Sequence, residues 1–281
     1  MTTGNVGRVA LRSMTFPDVA PVTALVLAGG WADFGLVFAF AVQSPASLAM
    51  VAEVAGAPVG VGIGTRNGTT GWLGPIYTTP AMRGQGVGRM LTNAVADGLE
   101  AAGCESLLLA ATELGKPVYG RLGFVAEGRY HVFQGQASAL QNDGPAVRLA
   151  QASDMDAIRA MDRWASGEDR THLLDAFGPP CWVVDDASSG RVKGFALATP
   201  WGAGAVIAAD PVDGLALLHH TATIADDGSI MAVLPGENAR GRSDLVRLGF
   251  REVRSLPRMQ RGRAVDWQPA TIWRLFSFGK G

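Results

Sequence analysis

The chain has 281 residues, 48% of them hydrophobic, and a formal net charge of −1. This length fits two domains of ordinary size better than one. The near-neutral charge lacks the basic excess that is typical of nucleic-acid-binding proteins.

Cysteines and apolar runs indicate the class of protein. Cys104 and Cys181 stand alone in the sequence, which argues against a structural zinc site and a disulfide framework. The first residues lack the apolar core of a signal peptide, and the run 36–42 is too short to span a membrane. We therefore expect a cytoplasmic protein with reduced thiols, no metal, no nucleic-acid partner and no membrane partner.

The first half alternates helical and strand patterns, separated by turn signals. The pattern predicts, in chain order, a strand "RVALRSMT", helices "FPDVAPVTALVLAGG" and "WADFGLVFAFAVQS", strands "SLAMVAEVAG", "PVGVGIGTR" and "GWLGPIYTT", a helix "GVGRMLTNAVADGLEAAG", a buried strand "SLLLAAT", a short helix "KPVYGRLGF" and a strand "VAEGRYHVFQG".

A polar, turn-rich stretch over 136–145 predicts a domain boundary. We expect one domain over 1–137 and a second over 145–281. After the boundary the element order repeats, and "RLGF" occurs at 121–124 and again at 247–250, each time before a final strand. This repeat indicates an internal duplication. The aromatic tail "ATIWRLFSFGKG" is expected to dock on a domain.

The loop "RGQGVGRML" stands between a predicted strand and a predicted helix. It is no Walker loop, because the chain has no Lys-Ser or Lys-Thr pair, and Arg89 takes the third glycine position of a Rossmann fingerprint. Arg83, Gly86 and Gly88 match R-x-x-G-x-G. Backbone amides at a helix N-terminus bind anions, and missing Cβ atoms allow close approach. Taken alone, the pattern fits an ordinary glycine-rich turn equally well.

The element order, "YTTPAMRGQGVGRML" and the following "PVYGRLGF" together resemble the GNAT superfamily of acetyl-CoA-dependent N-acetyltransferases. The first half resembles it closely, and the second half is similar to the divergent GNAT-like domain of tandem-domain bacterial members. The resemblance implies an α/β (α+β) protein with two tandem GNAT-like folds. Each would be a mixed, mostly antiparallel sheet flanked by helices.

The resemblance assigns cofactor contacts to one loop and one strand. The loop that wraps the CoA pyrophosphate corresponds to Arg83, Gly84, Gln85, Gly86, Val87, Gly88 and Arg89. The strand before it, which splays from its neighbour and pairs with pantetheine, corresponds to Ile76, Tyr77 and Thr78. The amide of Ile76 would polarise the thioester carbonyl. Tyr119 matches the tyrosine that protonates the departing thiolate; otherwise it is a packed aromatic residue.

The general base departs from the family pattern. Some members carry a Glu on the fourth strand, four residues before the polarising amide, where this chain has Trp72. The candidates are Glu113, which we favour, and Glu53 and Asp33. Each is alternatively a surface charge, which is the more common place for a single carboxylate. Trp31 and Trp72 are candidate acceptor contacts and, like Phe34 and Phe38, are alternatively core residues.

The second half lacks the phosphate loop. It has "AADPVDGLALLHH" at the corresponding place, where Asp210 and Asp213 would repel pyrophosphate. We therefore expect one acetyl-CoA site. Its activity would be direct acetyl transfer to the primary amine of a small acceptor. The alternative is a non-catalytic acyl-CoA sensor or scaffold. A homodimer is a further expectation.

Overall fold

A computed structural model describes residues 8–140, 144–178, 180–201, 204–222 and 228–281 of the chain. The first half follows the predicted order of elements. They are β1 (Ala10–Ser13), α1 (Val19–Ala28), α2 (Gly35–Gln43), β2 (Ser47–Val54), β3 (Ala57–Asn67), β4 (Thr70–Thr78), α3 (Val87–Ala101), β5 (Ser106–Ala110), α4 (Lys116–Arg121) and β6 (Val125–Gln136).

The second half repeats this order and adds one strand. Its elements are β7 (Val147–Leu149), α5 (Met155–Ser166), α6 (Thr171–Phe177), β8 (Cys181–Asp185), β9 (Val192–Leu197), β10 (Val206–Ala208), α7 (Pro211–Ala222), β11 (Ser229–Pro235), α8 (Ala239–Arg247), β12 (Arg251–Gly262) and β13 (Ile272–Arg274). Neither α6 nor β13 was predicted from the sequence. Both are short, and both are held by tertiary contacts: Leu173 and Leu174 of α6 and Ile272 of β13 are buried.

The strands that the structure describes join in one 13-stranded sheet in the order β1-β2-β3-β4-β5-β12-β6-β11-β13-β10-β9-β8-β7. The last strands of the two halves are exchanged. β12 pairs antiparallel with β5 and β6, and β6 pairs antiparallel with β11. The expected class, a largely antiparallel sheet flanked by helices, is confirmed. The domain ranges 1–137 and 145–281 stay a prediction, because the continuous sheet marks no boundary between them.

An ion-pair motif occurs once in each half. Arg12 of β1 bonds Asp18 at 2.7 Å and Glu53 at 2.9 Å. In the second half, Arg148 of β7 bonds Asp154 at 2.7 Å and Asp185 at 2.6 Å. In both halves the first acid ends a short 3-10 turn before the first helix, and the second lies on the next strand. This repeated geometry supports the internal duplication.

Helix α3 packs on the first half of the sheet through one apolar face. Its buried positions follow helical spacing: Val87, Leu91, Val95 and Leu99. The helix lies close to the sheet because the strands below carry glycines; a Cβ at Gly64 would lie 2.8 Å from the side chain of Val95. This close packing fixes the start of α3 beside the end of β4.

Candidate functional site

The strands β4 and β5 separate along their length. They pair in parallel only from Thr70 with Ser106 to Trp72 with Leu108. Beyond Trp72, β4 also changes register against β3. The resulting gap opens into a cleft of about 540 Å³ between the end of β4, the start of α3 and α4.

The glycine loop forms one wall of this cleft. Gly84 and Gly86 have φ values of +77° and +84°, in the left-handed region that favours glycine. Gly86 is the N-cap of α3, so the free amides of the helix begin here. A Cβ on either glycine would meet no atom within 4 Å. The loop therefore presents backbone amides and open space, which suits a bound anion.

Three arginines line the cleft: Arg83, Arg89 and Arg121. Within the described part of the chain, none of them forms an ion pair or a side-chain hydrogen bond. Arg12, by contrast, is paired with two carboxylates. Unpaired guanidinium groups around a helix N-terminus make the cleft electropositive and favour a ligand with several negative charges.

Tyr119 reaches the cleft from α4 and is half-buried. Its ring lies close to Gly115, where a Cβ would come within 2.7 Å of it, and 6.1 Å from the ring of Phe124. Burial raises the pKa of Tyr119 to about 12. The phenol therefore keeps its proton at neutral pH and can act as a proton donor.

Most of the residues chosen from the sequence line this one cleft. They are Trp31, Ile76, Tyr77, Thr78, Arg83, Gly84, Gly86, Val87, Gly88, Arg89 and Tyr119. Tyr77 is only 3% exposed, and its ring packs edge-on against Trp31 at 5.2 Å, so its backbone is the part available to a ligand. Gln85 does not line the cleft; its exposed side chain donates to the carbonyl of Ala81.

The candidate bases lie outside the cleft. Glu113 is exposed, although its neighbours Thr112 and Leu114 are lining residues. Asp33 accepts a hydrogen bond from the amide of Gly35 at the start of α2, and Glu53 is paired with Arg12. Among the described residues that line the cleft, none is Asp, Glu or His. A base role for Glu113 stays a prediction.

Trp72 has a buried position, separate from the cleft lining. It is 1% exposed and packs with Leu108 and Tyr130. Its indole Nε1 donates to the carboxylate of Glu168 at 2.9 Å. An enclosed indole with its polar atom satisfied offers little surface to an acceptor, so the acceptor role of Trp72 stays a prediction without added support.

Several residues that line the cleft were not predicted from the sequence. They are Met82, Thr92, Thr112, Leu114, Gly115, Val118 and Arg121. Arg121 lies inside the quoted motif "PVYGRLGF", two residues after Tyr119, so its charge was a usable signal. The others are apolar, small or hydroxyl residues whose lining position depends on how α3 and α4 meet.

In the second half the corresponding gap is closed. By element order β10 and β11 match β4 and β5, and β13 lies between them, antiparallel to β10 and parallel to β11. Trp273 of β13 is buried and donates to the carbonyl of Ala208. At the start of α7, the Asp210 carboxylate accepts the amide of Val212, and Asp213 is paired with Lys193. The start of α7 thus carries the carboxylates of Asp210 and Asp213, where the start of α3 has the glycine loop.

Within the described residues, no group of three or more His, Cys, Asp or Glu side chains is arranged to hold a metal ion. Cys104 and Cys181 are free and buried. Of the helices that the structure describes, none is both long and apolar enough to cross a membrane.

Two family models match the chain. The model of the acetyltransferase (GNAT) family matches residues 24–124, and that of an acetyltransferase (GNAT) domain matches residues 158–273. Together they cover most of the sequence and agree with the duplication of elements. A search of curated proteins found no match.

Solved structures share the fold over nearly the whole chain. A candidate acetyltransferase from Pyrococcus horikoshii is 17% identical with a TM-score of 0.81, covering 100% of this chain and 99% of that one. A GCN5-related N-acetyltransferase from Sphaerobacter thermophilus is 14% identical with a TM-score of 0.67, covering 92% and 98%. A tandem GNAT protein from the clavulanic acid biosynthesis pathway is 11% identical with a TM-score of 0.62, covering 91% and 98%.

Proposed function

Because the chain belongs to the GNAT superfamily of acetyltransferases, we propose that its first half binds acetyl-CoA and transfers the acetyl group to the primary amine of a small acceptor. The observation that carries the proposal is the glycine loop at the start of α3, with Gly84 and Gly86 in left-handed conformations, in a cleft lined by three arginines that form no ion pair with the described residues. A pyrophosphate suits this combination of amides and cations.

The cofactor would lie along the splayed end of β4. Arg83 to Arg89 would surround the pyrophosphate, and the backbone of Ile76, Tyr77 and Thr78 would pair with the pantetheine arm. The bound cofactor supplies an activated acetyl thioester. Metal chemistry is not part of the proposal.

Two residues of the chain would act on the reacting groups. The amide of Ile76 would donate to the thioester carbonyl oxygen, a bond that strengthens as negative charge develops there. The phenol of Tyr119 would give its proton to the departing sulfur. Its raised pKa, about 12, supports this role because the group stays protonated at neutral pH.

The acceptor amine must lose a proton to become a nucleophile. Since no carboxylate or imidazole is among the described lining residues, we propose that water carries this proton out of the cleft. Glu113, on the loop between lining residues Thr112 and Leu114, is the carboxylate we expect to receive it. No described cysteine lines the cleft, so direct attack within a ternary complex is the proposed route.

The second half would hold no acetyl-CoA, because β13 fills the gap between β10 and β11. Its proposed role is to complete the acceptor side of the first half. The exchange of β6 and β12 supports this role, since both strands continue the sheet beside β5.

A non-catalytic acyl-CoA sensor is the second candidate, and the lack of an acid or imidazole among the lining residues favours it. The test incubates purified protein with acetyl-CoA and a panel of amines while free thiol is measured. The Gly86→Asp variant provides the background rate. Amine-dependent thiol release supports the transferase. Tight acetyl-CoA binding without release on any amine supports the sensor.

A further inference from the structure

The segment 277–281 of the second half lies directly against β4. A Cβ at Gly74 would lie 3.3 Å from the carbonyl oxygen of Phe278 and 3.4 Å from Cα of Gly279. Ile76, whose amide is proposed to hold the thioester carbonyl, is two residues further along the same strand. The second half therefore brings the backbone of Phe278 next to the strand that carries Ile76. The ring of Phe278 packs with Trp72 and Tyr130, beside the residues that line the cleft and not among them.

Phe278 is half-buried, and a cation covers its ring. The guanidinium carbon of Arg254 lies 5.2 Å from the ring centroid. Arg254 is exposed and lies on β12, which continues past the end of β5: Ala110 pairs with Arg258, whereas Arg254 pairs with Val132 of β6. This places Arg254 along the end of the sheet where β4 and β5 have separated.

Arg254 has no anionic partner within the described residues. The two acids on strands β6 and β12 are both engaged, Glu252 with His131 at 2.9 Å and Glu127 with Arg258. Arg254 therefore keeps its donors free, while its guanidinium contacts the face of the Phe278 ring. A guanidinium with free donors is suited to bidentate binding of a carboxylate.

We propose that Arg254 and Phe278 form an acceptor subsite, and that the acceptor is a small amine that also carries a carboxylate. The inference rests on the proposed function and names the substrate class of that site. The carboxylate pairs with Arg254, the acceptor's carbon chain contacts Phe278, and the amine points toward β4. In the reaction the neutral amine nitrogen forms a bond to the acetyl carbon, and the carbon–sulfur bond breaks. The thiolate takes the proton of Tyr119 and leaves as CoA, and the proton that the nitrogen then loses returns through water to Tyr119.

The binding experiment uses full-length protein saturated with CoA and calorimetric titration. The probes are matched pairs: glycine with glycinamide, β-alanine with β-alaninamide, and 4-aminobutyrate with its amide. For at least one pair, the acid should bind about 10-fold or more tightly than the amide. Arg254→Gln should remove this preference. Arg251 is an exposed arginine on the same strand with no ion-pair partner among the described residues, and Arg251→Gln should keep the preference.

Three results overturn the inference: no acid binds, every acid and amide bind equally, or the preference survives in Arg254→Gln. O-phosphoethanolamine is a further probe. If it binds more tightly than any carboxylate, and Arg254→Gln removes this binding, the acceptor carries a phosphate and the proposed carboxylate is wrong. A parallel thiol-release assay separates the two proposals. Acid-selective binding without turnover contradicts the transferase but supports the carboxylate subsite. Turnover without any preference for the acids supports the transferase but contradicts the subsite.

Discussion

The indole Nε1 of Trp72 donates a hydrogen bond of 2.9 Å to the carboxylate of Glu168, across the two halves of the chain. Asn67 donates a second, at 2.6 Å, and also binds the carbonyl oxygen of Lys280. All four residues are almost fully buried. One carboxylate from the second half thus satisfies two donors of the first, and burial raises its pKa. This polar contact fixes how the halves meet behind the splayed strands.

Removing this carboxylate should destabilise the protein more than removing a surface one. Glu168→Ala leaves the indole Nε1 of Trp72 and one of the two amide hydrogens of Asn67 without an acceptor, and we expect a loss of about 2–4 kcal/mol in the free energy of unfolding. Glu168→Gln keeps an acceptor and should cost about 1 kcal/mol. Urea unfolding measures both, with the exposed Glu105→Ala as control. Equal losses for Glu168→Ala and the control would contradict the structural role.

The glycine loop has a matched control at the other end of α3. Gly86→Asp should abolish acetyl-CoA binding, because the carboxylate would enter the cleft where phosphate is proposed. Gly103 has φ +93° and, like Gly86, no atom within 4 Å of a built Cβ. Gly103→Asp should therefore cost similar backbone strain, about 1–2 kcal/mol, and leave binding intact. Calorimetry on both folded variants checks this. Undiminished affinity for acetyl-CoA in Gly86→Asp would contradict the proposal that the glycine loop binds the pyrophosphate.

Local signals explain why the loop was predictable from the sequence. A positive φ strongly favours glycine, so the glycines at 84 and 86 are a local signal for the turn that the loop makes. The strand and helix patterns of the first half are also local signals, which is why its order of elements could be predicted. The family motif around Tyr119 then identified the facing helix, and together these features predicted most of one wall of the cleft.

Long-range relationships were not predictable in this way. The sequences of β6 and β12 do not indicate their exchange. A strand shows the same alternation of buried and exposed side chains whichever half supplies its antiparallel neighbour. The contact of Glu168 with Trp72 joins positions 96 residues apart. The strand β13 is only three residues long, and its place between β10 and β11 is set by the gap that it fills.

The proton-donor role of Tyr119 predicts a separation of binding from turnover. Tyr119→Phe should keep the affinity for acetyl-CoA and lower kcat by about 10²–10⁴-fold. Because the pKa of Tyr119 is about 12, its ionisation should cause no fall in activity between pH 8 and about 10. Steady-state kinetics over pH and a separate titration measure these effects. An unchanged kcat in the variant would mean that the ring serves packing alone.

Closure of the second gap by β13 predicts one cofactor per chain. Titration with acetyl-CoA should give a stoichiometry of about one, and Gly86→Asp should reduce it to zero, because both results follow from a single glycine loop. Residual binding in the variant, or a stoichiometry of about two, would show a site in the second half despite Trp273 and Asp210.

Lys280 makes the stability of the protein depend on pH. The residue is 1% exposed. Its ammonium lies 5.2 Å from the Phe40 ring centroid and 5.5 Å from that of Trp201, and it has no hydrogen-bond partner among the described residues. Burial lowers its pKa to about 8 from an ordinary 10.5. The unfolded chain therefore holds this proton more tightly, and stability should rise as pH increases from about 8 to 10.5.

Replacing Lys280 should remove this dependence. Lys280→Met keeps the volume and the aromatic contacts without a charge, so it should be the more stable protein at pH 7, by up to about 3 kcal/mol. The difference should shrink as pH rises past 8, because wild-type Lys280 becomes neutral. Urea unfolding of both proteins across this range measures the trend, with the exposed Lys116→Met as control. A difference that is constant with pH, or that matches the control, would show that the Lys280 ammonium costs the folded state nothing.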